Sequence, residues 1–277
     1  WIAEIHDPMV IRDDPADDGR RPRASRKDRF LQQVERTICS EADHIWWFTE
    51  DALNYAKLRN PKLEDKGFVV LPGAEPPVCH HYHEYSDTLN LCHFGSLTND
   101  RSLAPVLNSL ETFFVNHPKA KNVIRIHTYG SDIDEAAKAV LEQLNLPEII
   151  VNHGRLESDP LTGKSGRERV IEKMYEADVL LLLHGDYEWC AEYIPSKLYE
   201  YFWAQRPVVA VTNRNRFLDE LLLKHNSYVC HTHDKASILQ TFENLWRDWQ
   251  RSSLKAFEGE PVSVNDAVSQ ILTRVEH

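Results

Sequence analysis

The chain has 277 residues, 42% hydrophobic and 27% charged, with 10 glycines and 14 prolines, a composition that excludes disordered and collagen-like chains and fits one large or two modest domains. A net charge of −11 at pH 7 supplies no basic field for a phosphate backbone, so nucleic acid is not expected as a partner and any phosphate site must be local. The longest apolar run, residues 179–183, is far shorter than the roughly 20 residues a membrane-spanning helix needs, so no span is expected and only peripheral membrane contact is left open.

In chain order, residues 1–5 read as a strand, followed by an acidic and basic loop, a helix over 25–42, a strand over 44–48, a helix over 50–58 and a strand over 68–71. Two or three such units do not close a full sheet. Residues 1–75 are therefore expected to be the end of an α/β domain whose beginning is absent, in a chain that opens on Trp1 and reads as a fragment. Prolines and a loss of periodicity mark a linker over 76–87.

From residue 88 onward, short apolar runs alternate with amphipathic segments, the pattern of βαβ units around a parallel sheet. Strands are expected over 88–97, 122–129, 148–153, 178–184, 207–212 and 227–230. Helices are expected over 102–117, 165–177, 195–205, 215–225 and 234–254. The first carries Leu103, Val106, Leu107, Leu110 and Phe114 on one face. Another helix opens at Asp132 with Glu135 three residues on, and Ser165 with Glu168 repeats that capping-box spacing. The reading is one doubly wound, Rossmann-like nucleotide domain over 88–260, then a helix over 264–275, within a 261–277 tail, that packs back across the linker.

The strongest chemical signal is EYIPSKLYEYFWAQRPVV, residues 192–209, directly after the most apolar strand. In an open α/β sheet, ligands gather at the carboxyl ends of strands where helices begin. Pro195 fits a first helical turn, and the amides near Ser196 and Lys197 would face an anion, with Lys197 adding a point charge. Glu192 and Glu200 place one carboxylate before that helix and one a turn inside it.

These residues resemble a known family. YEADVLLLL, then E-x(7)-E, then RPVVAVT, is similar to the donor site of retaining GT-B glycosyltransferases, the family that includes glycogen synthases and bacterial polysaccharide mannosyl- and rhamnosyltransferases. SKLYEY is most like its polysaccharide-biosynthesis branch. The resemblance implies that Glu200 holds the ribose hydroxyls of a nucleoside diphosphate and that Glu192 lies beside the transferred sugar. HFGSLTNDR, residues 93–101, resembles the first strand and glycine loop of the nucleotide domain, with Gly95 and Ser96 in the loop and Arg101 at a basic position. Ser96 occupies the other basic position, where Lys197 is the candidate substitute. HGRLES, with Gly154 and Arg155, resembles the loop against the nucleobase. WIAEIHDPM resembles a segment of the acceptor domain, with His6 matching a histidine placed against the donor sugar.

The resemblance implies a glycosyltransferase: sugar transfer from an NDP-sugar donor to a glycan, lipid-linked or small-molecule acceptor, with retention, using Glu192, Lys197 and His6 in catalysis. Neither a metal nor a cofactor beyond the donor is expected. A non-catalytic nucleotide-binding domain and an NDP-sugar epimerase are the alternatives. Five cysteines without CxxC spacing supply no disulfide framework and point to a cytoplasmic protein. Gly163-Lys164-Ser165 lacks the earlier glycine of a phosphate-binding P-loop. Cys79, His80, His81, His83 and Glu84 have the chemistry of metal ligands but adjacent spacing on a linker, so no metal site is expected there. Trp46 and Trp47 are expected to divide between core and cleft, and Trp246 with Trp249 to serve helix packing.

Overall fold

The computed structural model describes residues 1–10, 25–76, 86–144, 147–186 and 188–276. A small parallel sheet comprises β1 (Ile2–Ile5), β2 (His44–Trp47) and β3 (Gly67–Val69) in that order, with α1 (Arg26–Glu41) and α2 (Glu50–Arg59) as crossovers. Its core gathers Ile45, Trp47, Leu53, Ala56 and Leu63. Beneath it, the buried carboxylate of Glu35 accepts two hydrogen bonds from Arg59 and one from Asn60.

The larger sheet has six parallel strands: β4 (Leu89–Gly95), β5 (Ile124–Gly130), β6 (Ile150–Asn152), β7 (Val179–Leu183), β8 (Val208–Thr212) and β9 (Tyr228–His231). They lie in the order β6-β5-β4-β7-β8-β9, the doubly wound arrangement with its reversal beside β4. Every residue of β7 and β8 is buried, because helices cover both faces. Those helices are α3 (Ala104–Asn116), α4 (Glu135–Leu144), α5 (Gly166–Glu176), α6 (Lys197–Ala204), α7 (Arg216–Lys224) and α8 (Lys235–Gln250). Trp246 packs in the α3–α8 core and stacks on Trp249 at 5.1 Å.

The opening of α4 differs from expectation. Asp134, not Asp132, is the cap: its Oδ1 accepts from the Ala137 amide at 2.9 Å, while Asp132 accepts from the Asn152 amide group. Asp134 also accepts from the Leu103 amide at 3.2 Å and the Ser102 hydroxyl at 2.6 Å, so one carboxylate secures the amino ends of α3 and α4. It is 6% exposed. Asp134→Ala should therefore lower stability by about 2–3 kcal/mol, beyond a single surface cap, read as a lower urea midpoint at unchanged slope.

Two segments join the sheets side by side. The Ala74 amide donates to the Val262 carbonyl at 3.1 Å, and the indole N–H of Trp203 on α6 donates to both the Ala74 and Val262 carbonyls. Gly73 has φ +66 and lies so close to Ser263 that a Cβ would meet its carbonyl oxygen at 2.6 Å. The last helix, α9 (Val264–Val275), starts at a complete Ser263–Asp266 capping box and sets Ala267 against Trp46 and Val70 of the small sheet. Both Trp46 and Trp47 are thus core residues, which corrects the expectation of a cleft role. No helix among the described residues is long and apolar enough to cross a membrane.

Candidate functional site

The site begins with two glycines. Gly95 ends β4 and Gly130 ends β5, and the parallel register sets them opposite each other. Their φ angles are +121 and +148, and a Cβ on Gly130 would come within 2.2 Å of the Gly95 carbonyl oxygen. Only hydrogen fits between these strand ends. Above them opens a cavity of about 850 Å³, bounded by the Gly95-Ser96 loop, the 155–158 loop and the first turns of α5 and α6. That is the size range of sites that take small-molecule ligands. Phe94 and Tyr129 line it and stack at 4.8 Å, and Tyr129 stacks in turn on His153 at 4.4 Å.

The helix ends show where an anion fits. The first turns of α3 and α4 are occupied by Ser102 and Asp134, α5 carries the complete Ser165–Glu168 box, and Asn215 and Asp234 cap α7 and α8. Ser196 makes no side-chain cap on α6. Instead Leu198 and Tyr199 donate back to the carbonyls of Pro195 and Ser196, tightening the turn, and Ser196 and Lys197 face the cavity. The amino end of α6 therefore faces open space without a side-chain cap, and its free amides favour negative charge there.

Lys197 adds to this field. Its ammonium donates to the Phe94 carbonyl at 2.7 Å and lies 3.1 Å from the position a Cβ on Gly95 would take, so the bare strand end makes room for it. Burial, with the nearby charge of Arg101, pulls its pKa down to about 7 while Glu200 acts in the opposite sense. Three residues on, Glu200 faces the same cavity, and its Oε1 pairs with the Arg167 guanidinium of α5 at 2.5 Å.

Gly95, Ser96, Arg155, Ser196, Lys197 and Glu200 thus line one cavity. Gly154 lies at its edge, with φ +63 and its carbonyl accepting from the Gly130 amide. Three sequence candidates lie outside the cavity wall. Arg101 donates to the Tyr193 hydroxyl at 3.1 Å and borders a separate hollow of about 100 Å³ with His184 and Asp186. Glu192, 2% exposed, ends a 3₁₀ turn (Glu188–Glu192) at the seam between the sheets, where its carbonyl accepts from the Thr49 hydroxyl at 2.7 Å. His6 is exposed, pairs with Glu4 at 2.9 Å and packs on Phe48 at 4.8 Å.

Sequence reasoning missed Gly130 and Arg167. The first stands just beyond the expected strand end, and the second carries a readable signal, a cation in a first helical turn. Among the described residues, no three histidine, cysteine or acidic side chains converge to hold a metal ion. The Cys79 to Glu84 cluster lies outside those residues.

No family model matches the sequence, and no curated protein is similar to it in sequence. Solved structures do match. Staphylococcus aureus TarM, a variant in complex with fondaparinux, α-GlcNAc-glycerol and UDP, superimposes with a TM-score of 0.61 at 12% identity over 91% of this chain and 45% of its own. Anabaena HepE with UDP and glucose matches at 0.67 and 11% identity over 99% of this chain and 71% of its own. The pneumococcal O-GlcNAc transferase GtfA with UDP and GlcNAc matches at 0.60 and 11% identity over 89% and 47%. The fold is GT-B. The chain spans less than half the length of the TarM and GtfA chains that it matches.

Proposed function

We propose that this chain carries the donor-binding part of a glycosyltransferase that moves a sugar from a nucleoside-diphosphate sugar to an acceptor hydroxyl. The observation that carries the reading is the uncapped amino end of α6, where buried Lys197 and, one turn on, Glu200 face one cavity at the strand ends of a GT-B fold. UDP in the TarM, HepE and GtfA structures supports a nucleoside diphosphate as the ligand class.

In this reading the diphosphate lies between the α6 amides and Lys197, and Glu200 accepts the ribose hydroxyls. Transfer breaks the bond from the anomeric carbon to the diphosphate oxygen, whose electron pair leaves with the diphosphate. The acceptor oxygen forms the new bond as its proton passes to the departing diphosphate. Lys197 and the helix end stabilise the charge that grows on the leaving group, which is where a fixed electrostatic site lowers the barrier. Arg101, close enough to perturb Lys197, adds positive potential behind it. The motif resemblance implies that Glu192 lies beside the sugar and that transfer proceeds with retention. The acceptor is a glycan or a lipid-linked or small-molecule alcohol, and the reaction is assigned to the cytoplasm without a resident metal.

Calorimetric titration of the chain with UDP, GDP, TDP and ADP tests the reading. Saturable binding of one of them at micromolar concentration is expected. Absence of binding by all four at millimolar concentration would overturn it.

A further inference from the structure

Arg167 stands in the first turn of α5, next to a capping box whose Ser165 and Glu168 secure that helix end. A helix dipole disfavours a cation there, so the helix itself does not explain this arginine. The backbone around it is closely set. A Cβ on Gly166 would meet the Leu156 carbonyl oxygen at 2.3 Å, which presses the 155–158 loop against the start of α5. Arg167 is thereby held on the cavity wall between that loop and α6, where its Nη1 meets Glu200 Oε1 at 2.5 Å. The Arg167 side chain is 58% exposed and that of Glu200 22% exposed, so the arginine reaches Glu200 from the solvent side, through a contact to one carboxylate oxygen.

We propose that Arg167 is a positioning residue for ribose recognition: by pairing with one oxygen of Glu200, it fixes the carboxylate so that the other oxygen meets the ribose hydroxyls of a nucleoside diphosphate. This rests on the donor-binding reading given above. A guanidinium forks in a plane and holds a carboxylate's orientation, whereas an unpaired glutamate samples several rotamers and loses entropy on binding. Arg167 thus removes an ordering cost from the ribose contact rather than adding a contact of its own.

The test separates ribose recognition from binding in general. Dissociation constants are measured for UDP and 2′,3′-dideoxy-UDP, and for GDP and 2′,3′-dideoxy-GDP, on the wild type, Arg167→Ala, Arg167→Lys and Glu200→Ala, with melting temperatures as the folding control. The wild type is expected to prefer the ribonucleotide of one pair by about tenfold or more, the loss of a charge-assisted hydrogen bond. Glu200→Ala should bring that ratio close to one. Arg167→Ala should cut it at least about threefold while leaving dideoxynucleotide binding nearly unchanged, and Arg167→Lys should restore part of it. A merely structural arginine would weaken both nucleotides together. An undiminished ratio in Arg167→Ala beside a collapsed one in Glu200→Ala would overturn the inference alone. Tighter ribonucleotide binding by Arg167→Ala would also overturn it, by making the arginine a competitor of ribose. If the wild type binds nucleotide but shows no ratio in either pair, the ribose role of Glu200 fails and takes the inference with it. If it binds none of UDP, GDP, TDP and ADP, the donor-binding reading itself fails; binding of TDP or ADP alone moves the same comparison to that nucleotide and its dideoxy analogue.

Discussion

Lys197→Met is expected to lower kcat/KM for sugar transfer by about 100- to 1,000-fold, the usual cost of removing one group that stabilises a developing anion. Methionine keeps the unbranched stem that packs at the start of α6 but carries no charge, so the loss reports on electrostatics more than on folding. A pH profile makes the assignment specific. Burial and the nearby charge of Arg101 disfavour the charged form of the Lys197 amine and pull its pKa down to about 7. A bound diphosphate favours that charged form, so donor binding above pH 7 must take up a proton. Affinity for an NDP-sugar is therefore greatest below pH 7 and should fall by up to about tenfold per unit as pH rises above it, until the pKa of the occupied site is reached. An NDP-sugar suits this measurement because its diphosphate has no proton to lose in that range. The neighbouring histidines contribute no slope: burial holds His93 well below its ordinary range and His184 at about 4, leaving both neutral from pH 6 to 9. Calorimetry at half-unit steps should show the slope in the wild type and none in Lys197→Met. A slope that survived the substitution would assign the titration elsewhere.

Glu200→Gln is expected to weaken nucleoside diphosphate binding by about 1.5–3 kcal/mol, or roughly 10- to 150-fold in Kd. The substitution preserves size, removes the charge and converts one acceptor into a donor. Its consequences follow from the neighbours. Arg167, 2.5 Å from Oε1, would face a neutral amide, and the ribose hydroxyls would compete for the one remaining acceptor oxygen. Stability should change little, since exposed and half-exposed ion pairs contribute modestly in water. Titration with the free nucleoside diphosphate, without a sugar, isolates this contact from transfer. Affinity within twofold of the wild type would remove Glu200 from the ribose.

Much of this was legible along the chain. Leu180, Leu182 and their neighbours form an unbroken apolar run that only a strand covered on both faces accommodates, and β7 and β8 are such strands. Helix α9 occupies the expected residues because Ser263 and Asp266 close a local box. Lys197 and Glu200 share a helical face because three residues make almost one turn, so their common cavity is readable from spacing once the helix is recognised. The start of α4 was misread because Asp132 and Asp134 are both good caps locally. What selects Asp134 is its simultaneous bond to Leu103, 31 residues earlier in sequence.

By itself, then, the sequence determined the alternation of strands and helices, the parallel class of the sheet and the charges at the opening of α6, all consequences of short-range periodicity and helix-end chemistry. Tertiary structure alone decided which strands are neighbours, since apolar runs of equal length are interchangeable partners. It set Gly95 against Gly130, a register made by hydrogen bonds between segments 35 residues apart. It brought Arg167 across from α5 to Glu200, and it drew the Glu192 turn under Thr49 of the other sheet, away from the cavity wall. Each of these depends on how separate elements pack, and packing is chosen by the burial and hydrogen bonding of the whole fold, which no local pattern encodes.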